Sequence, residues 1–316
     1  GYSEAVVGSH RPGCYRIQYG HRDKPGVSII IPTRNQFGLL QRCIECLLEK
    51  TAYKNYEILI VDNGSTDEDA CRWLDGIEAL GSMQLRVMRH PGPFDYPAMV
   101  NTAAANARGD YLLLLDNDTA TLSEDWLDAL LNHAQRPEVG VVGAKLLRPD
   151  GTVDQAGYVL GVQGAASTPF AGAKSDAPGY MQRLQVDQDY TAVSGSCLMV
   201  RRSLFEEVGG LATDPALRHA CNDVDLCLRV RAAGYLVVWT PHALVMHEGG
   251  ASIALLDRAT VAEKAARVLE THSAIYERWL SVVAHDPAYN RHFSLSGEAF
   301  RVEASTWLNR DPLPWK

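Results

Sequence analysis

No stretch of this chain approaches the roughly 20 consecutive apolar residues that a membrane helix needs, and its first residues lack the basic-then-apolar pattern of a secretory signal. Cations are in deficit. With 30 Lys and Arg against 38 Asp and Glu, the formal net charge of -8 argues against a nucleic-acid binder, whose phosphate affinity rests on clustered Lys and Arg. The expectation is a cytoplasmic protein, free or peripheral at the inner face of the cytoplasmic membrane. No G-x-G-x-x-G follows the first strand-like run and no Walker-type glycine loop is present, which excludes a dinucleotide oxidoreductase and a P-loop phosphate site. Seven cysteines, an odd number scattered along the chain, do not read as a disulfide framework, and no paired C-x-x-C offers a zinc site. Cys43 and Cys46 form a single C-x-x-C within an apolar helical periodicity, away from any helix N-terminus, so core packing is expected of them.

What is present begins with the run Leu112-Leu113-Leu114-Leu115-Asp116-Asn117-Asp118, an apolar strand that ends in two carboxylates. Side chains two apart on a strand point the same way, so Asp116 and Asp118 can converge on one target. A divalent metal with a phosphorylated ligand fits them, since Mg²⁺ and Mn²⁺ take a few carboxylates and leave positions for phosphate and water. The bland alternative is a solvated turn after a buried strand. Upstream, Val27 to Asn35 reads as a strand broken at Pro32, and Tyr56 to Asp62 as a second strand running into the polar turn Asn63-Gly64-Ser65-Thr66-Asp67. Between them Leu39, Leu40, Cys43, Ile44, Leu47 and Leu48 recur at helical spacing. Strand, helix, strand implies a parallel sheet with a right-handed crossover, and ligands of such sheets bind beyond the carboxyl ends of the strands. All three polar clusters fall there.

With those motifs in place, the chain resembles the inverting glycosyltransferases of family 2, which have the GT-A fold. The resemblance runs through Val-Ser-Ile-Ile-Ile-Pro-Thr-Arg-Asn (27 to 35), Val-Asp-Asn-Gly-Ser-Thr-Asp (61 to 67), Pro-Phe-Asp-Tyr (93 to 96), Asp-Asn-Asp (116 to 118), Asn-Asp-Val-Asp-Leu-Cys-Leu-Arg (222 to 229) and His-Glu-Gly-Gly (247 to 250). It covers about residues 15 to 295. Pro-Phe-Asp-Tyr and the later Asp286-Pro287-Ala288-Tyr289-Asn290 look like a bacterial subgroup associated with O-antigen, capsule and related surface glycans, often as one module of a longer polypeptide.

The resemblance implies a nucleotide-diphosphate sugar donor, a saccharide or lipid-linked glycan acceptor, and Mn²⁺ or Mg²⁺. Pro32, Thr33, Arg34 and Asn35 would contact the nucleotide. Asp62 would accept a hydrogen bond from a pyrimidine base; the alternative is a turn or helix cap that satisfies nearby N–H groups. Asp116 would face the ribose or a metal-bound water, Asp118 would bind the metal directly, and His247 would complete the metal site. Asp223 would be the base that deprotonates the acceptor hydroxyl, although Asn222 stands where the family commonly has Glu. Asp225 is expected to cap or pair near its helix. Gly195 and Ser196, in a small-residue loop, would lie beside the acceptor, with Gly195 permitting close approach of a sugar; Trp239 and His242 are weaker candidates for the same region. The processive signature Gln-x-x-Arg-Trp is missing, which favours one or a few additions per encounter. A non-catalytic scaffold or glycan-binding module on the same fold is the rival reading.

The expected architecture is therefore α/β: a GT-A type, Rossmann-like, mostly parallel central sheet flanked by helices, with a C-terminal helical extension. Residues 1–26 read as a lead-in, 27–253 as the main domain (27–120 nucleotide half, 121–253 acceptor half) and 254–316 as the extension. A helix is expected over Leu122 to Ala134, a strand from Val139, loops and short strands over residues 150–190, and a long helix from Asp257 to Leu280. Composition, 46% hydrophobic over 316 residues, can bury a core of that size.

Overall fold

The structure is a computed structural model that describes residue 2, residues 4–249 and residues 260–302. Gly250, Asp257 and the end of the C-terminal extension, all named above, lie outside the described residues. A sheet of ten strands organises the chain. In chain order its members are β3 (Val27–Thr33), β4 (Tyr56–Asp62), β5 (Leu85–Arg89), β6 (Tyr111–Leu115), β7 (Thr119–Thr121), β8 (Val139–Leu147), β9 (Val153–Gln155), β12 (Gln188–Tyr190), β13 (Cys197–Arg201) and β14 (Leu236–His247). The main path runs β12-β14-β8-β13-β6-β3-β4-β5, with β7 on β14 and β9 on β8. Pairings β3–β4, β3–β6, β4–β5 and β8–β14 are parallel, and β13 is antiparallel to both its neighbours. Mostly parallel describes it, as expected.

Alternation along the strands divides the core in two. Ile30, Leu59, Val61, Leu112 and Leu114 face one layer, and Ile29, Ile31, Ile58, Ile60, Leu113 and Leu115 face the other. Because both faces are buried, these strands read as continuous apolar runs. Helices α1 (Phe37–Lys50), α2 (Glu68–Leu80) and α4 (Trp126–Ala134) cover the second layer; α3 (Tyr96–Ala105), α5 (Arg202–Glu207), α6 (Asn222–Ala232) and α7 (Val261–Ala284) pack on the first. The apolar stripe of α1 buries Leu40, Cys43, Ile44 and Leu47, and burial pushes the Cys43 thiol up to about 12. The core reading of Cys43 holds.

Helix starts carry their caps. Asp67 accepts from the Ala70 N–H at 2.9 Å to open α2, and Asp95 accepts from Ala98 at 3.0 Å to open α3. Thr260 and Glu263 form a reciprocal capping box at the start of α7, which bends at Trp279. The lead-in is a hairpin of β1 (Val6–Arg11) and β2 (Cys14–Gln18), followed by Tyr19, whose backbone N–H donates to Asn132 of α4 at 2.9 Å. The helix expected from Leu122 begins only at Trp126. The reason is non-local: Leu122 donates its N–H to Leu244 at 3.1 Å, prolonging the pairing of β7 with β14. Residues 150–190 hold short strands and turns, as expected, among them the antiparallel pair β10 (Val159–Leu160) and β11 (Ala166–Ser167).

Candidate active site

The apolar run stops at Leu115, and Asp116 to Asp118 form a turn instead of continuing the strand. The two carboxylates thus meet by a different route from the strand alternation expected of them. Asp116 donates its N–H across the sheet to Ser196 at 3.2 Å, and the Asn117 amide donates to Thr33 Oγ1 at 2.9 Å. The chain then re-enters the sheet as β7, whose antiparallel register sets Thr119 opposite His247. That pairing delivers an imidazole to the acids: His247 Nε2 lies 3.5 Å from Asp116 Oδ2 and 3.4 Å from Asp118 Oδ1.

A fourth group completes the cluster. Asp154 on β9, which the sequence did not single out, accepts from His247 Nδ1 at 2.8 Å and is itself held by Arg148 at 3.3 Å. Burial disfavours a charged imidazole here, but the hydrogen bonds it donates to Asp116, Asp118 and Asp154 overcome that and push His247 up to about 12. Asp116, Asp118 and His247 offer three ligand atoms within 4.8 Å of one another. Two carboxylates and an imidazole whose far nitrogen is fixed by a third carboxylate fit a Mn²⁺- or Mg²⁺-type ion. Beside them, Arg42 of α1 pairs with Glu248 at 2.7 Å.

Facing this cluster is the N-terminus of α6. Asp223 Oδ2 accepts from the Gly195 N–H at 2.8 Å and Oδ1 from the Val224 N–H at 2.8 Å. Tyr158 adds its hydroxyl to Oδ2 at 3.5 Å. Burial raises the Asp223 pKa above the usual carboxylate range, the backbone N–H bonds oppose that, and the Asp116 charge adds to it. Tyr96, the last residue of Pro-Phe-Asp-Tyr, is kept protonated by burial and by the charges of Asp116 and Asp223. Phe94 stacks on His219 at 5.7 Å, and Asp95, besides capping α3, pairs with Arg218 at 3.1 Å.

One acceptor-side expectation is corrected, and another gains a neighbour. A Cβ on Gly195 would sit 3.1 Å from Asp223 Cβ, so the missing side chain lets the aspartate come close. Trp239 does not line a channel: it is fully buried on β14, packs against Tyr190 at 6.3 Å, and its indole N–H donates to Ala144 at 3.1 Å. An inward-facing position on a strand buried on both sides gives the ring no access to solvent. His242 borders a cleft walled in part by the N-terminal hairpin. Ser196 stays beside Asp116 through the backbone bond already described.

On the donor side, Asn35 accepts from the N–H groups of Thr66 and Asp67 at 2.7 and 3.0 Å, tying the loop after β3 to the loop after β4. Asn35 and Gln36 both take positive φ, a conformation that aims this loop sharply into α1. Thr33 is buried, while Pro32 and Arg34 are partly exposed at the mouth. Asp62 is 3% exposed; Oδ1 accepts from the Ser65 N–H at 3.0 Å, and Oδ2 takes Arg89 at 3.1 Å. The turn-capping role is therefore real, and it uses only part of the carboxylate's lone pairs. Asp225, as expected, is structural: it pairs with Arg229 at 2.8 Å and accepts from the Trp279 indole at 3.0 Å. Asp286 likewise fastens the C-terminal segment, accepting from the Leu160 N–H at 2.7 Å and the Thr191 hydroxyl.

No helix among the described residues is long and apolar enough to cross a membrane. Comparison with known proteins agrees with the geometry. The chain is 39% identical to the uncharacterized protein y4gI of Sinorhizobium fredii, over 97% of this chain and 33% of that protein. It is 37% identical to the O-antigen biosynthesis protein RfbC of Myxococcus xanthus, over 92% of this chain and 22% of RfbC. The chain thus spans a third or less of the length of these relatives. Its fold is similar to that of GalNAc-T7, solved with UDP, GalNAc and Mn²⁺, with a TM-score of 0.60 and 16% identity over 86% of this chain and 60% of that one. The model of the family described as glycosyl transferase family 2 matches residues 28–209, which take in the β3 and β4 loops and the Asp-Asn-Asp turn. On that match, which covers more than half of its length, the chain belongs to glycosyl transferase family 2.

Proposed function

We propose that this chain moves a sugar from a UDP- or dTDP-sugar to a saccharide hydroxyl with inversion, as a step in building a bacterial surface polysaccharide. The observation that carries this reading is Asp223: a carboxylate pinned by two backbone N–H groups, raised in pKa, and facing the Asp116, Asp118 and His247 cluster. Inverting displacement at an anomeric carbon needs a base on one side of the sugar and a stabilised diphosphate on the other. The two clusters supply those two sides.

Pro32, Thr33, Arg34 and Asn35 frame the nucleotide, and the lone pair left on Asp62 Oδ2 accepts from the N3–H of a pyrimidine. Asp118 and His247, with Asp116, would hold a Mn²⁺ or Mg²⁺ ion, which when bound supplies Lewis-acid charge neutralisation at the leaving diphosphate. Asp223 Oδ2 takes the proton of the acceptor hydroxyl as its oxygen attacks. Gly195 and Val224 fix the carboxylate for that role. Ser196 borders the acceptor. The name of the RfbC relative supports the surface-glycan setting.

The test is release of nucleoside diphosphate from a panel of UDP- and dTDP-sugars with a glycan acceptor. Asp223→Asn keeps size and shape, so donor affinity should survive while transfer falls by about 10² to 10⁴, the usual worth of positioned proton transfer. Asp225→Asn should act through stability. Near-native turnover in Asp223→Asn rules out this base.

A further inference from the structure

The N-terminal hairpin does more than pack on α4. With the end of β8, the irregular middle of β14 and the loop at residues 175–185 it walls a cleft of about 590 Å³ that shares no residue with the Asp223 group or the metal cluster. Three cations, Arg11, Arg16 and Lys145, line it against one carboxylate residue, Asp176. Lys145 is 3% exposed, and its ammonium donates only to the carbonyls of Ser175 at 2.7 Å and Leu184 at 3.0 Å. An ammonium has three donors, and among the described residues no carboxylate lies within ion-pair distance of this one. Arg11 donates to the backbone carbonyl of Asp176 at 3.2 Å, and Arg16, among the described residues, pairs with the 56% exposed Asp125 at 3.4 Å.

A buried ammonium held by neutral carbonyls, in a cleft with two guanidinium groups and only the Asp176 carboxylate among its lining residues to offset them, is costly unless a further anion shares the space. The strain is visible in Lys145 itself: burial and the neighbouring Arg11 push it down to about 8, with Asp176 opposing. The cleft is far larger than a single oxyanion needs. Its remaining wall combines the amides of Gln18 and Gln185 with the apolar surface of Leu147, a mixture suited to the hydroxyl edge and C–H face of a sugar ring. We propose that this cleft binds an acidic saccharide, a sugar unit bearing a carboxylate or a phosphate, whose anionic group sits among Arg11, Arg16 and Lys145.

The proposal is independent of whether the chain transfers sugars, because its test reads binding alone. Calorimetry on the full chain in EDTA would compare glucuronate, glucose 6-phosphate, glucose and inorganic phosphate. One of the two acidic sugars should bind at least about tenfold more tightly than either glucose or inorganic phosphate, and which one does identifies the anion. Arg11→Gln and Arg16→Gln, both at accessible side chains, should each weaken that ligand by about tenfold, the usual worth of one charge-assisted bond. Lys145→Met should do so more strongly, provided its thermal unfolding stays native-like; the two arginine variants decide the matter if it does not. Asp118→Ala and Asp223→Asn should bind as the native chain does. Binding that survives both arginine substitutions, or is lost in Asp118→Ala, overturns the assignment. So does inorganic phosphate or glucose binding as well as the acidic sugars, or no binding by either of them up to about 10 mM.

Discussion

Removing the Asp154 carboxylate tests whether His247 is built as a ligand or merely packed. Asp154→Asn leaves the shape of β9 but replaces a charged acceptor with a neutral one at the 2.8 Å contact to His247 Nδ1. Carboxylates that orient a ligating histidine are worth about 10- to 100-fold in metal affinity, or roughly 1.4 to 2.7 kcal/mol. The lower end applies here. In the metal-free cluster the same carboxylate, at Nδ1, stabilises the imidazolium and so helps raise His247 to about 12, and a divalent ion must displace the other proton, on Nε2. Losing Asp154 therefore weakens the ligand and its competitor together, and the difference should be about tenfold. Calorimetric titration of Mn²⁺ into the UDP-saturated protein measures it. Run in two buffers of different ionisation enthalpy at pH 7, the native chain should release close to one proton per ion. Mn²⁺ affinity unchanged in Asp154→Asn, with circular dichroism and thermal unfolding native-like, would show that His247 is not a ligand. No proton release in the native chain would refute the competition argument separately.

Asp118→Ala should abolish the Mn²⁺-dependent part of UDP or dTDP affinity, measured with and without EDTA, and His247→Ala should do so more mildly. Asp62→Ala should flatten the preference for UDP and dTDP over GDP in a thermal-shift panel; GDP binding best to the native chain would show that the carboxylate does not read a pyrimidine. Gly195→Ala should displace Asp223 by a few tenths of an ångström and cut kcat several-fold while leaving donor affinity alone, because the added methyl meets Asp223 Cβ at 3.1 Å. At saturating Mn²⁺, kcat/KM should fall as pH drops through the raised pKa of Asp223, since the base works only when ionised; an acid limb at or below the ordinary carboxylate value of about 3.9 would contradict the reading.

The parts of this fold carried by local pattern were legible in the sequence. Buried parallel strands need apolar runs, and α1 needs its helical stripe, so β3, α1, β4 and β6 could be placed from residue order alone. The Asp116 and Asp118 pair was visible for the wrong geometric reason. Its convergence depends on the bond to Ser196 and on β7 rejoining the sheet, neither of which residue spacing encodes. Asp154 was out of reach because it lies in a stretch of weak periodicity, and its role exists only once β9 pairs with β8 and β14 brings His247 alongside. Trp239 failed in the opposite way. It was a weak candidate for the acceptor region, whereas the inward alternation of β14 put the ring in the core.

The bolt between α6 and α7 decides where this enzyme half can be cut. Asp225, two positions after the proposed base, is gripped by Arg229, Arg278 and Trp279, and Arg278 also holds Asp214. The segment matched by the family ends at residue 209, ahead of Asp223, His247 and every residue of that bolt. A fragment trimmed to the family boundary would carry the β3 and β4 loops and the acidic turn yet forfeit the proposed base, the histidine and the brace that seats them. It would keep the proposed donor side and lose the proposed chemistry. In chimeras built with this chain, the seam therefore belongs after α7, so that the helix presenting Asp223 travels with the helix it leans on.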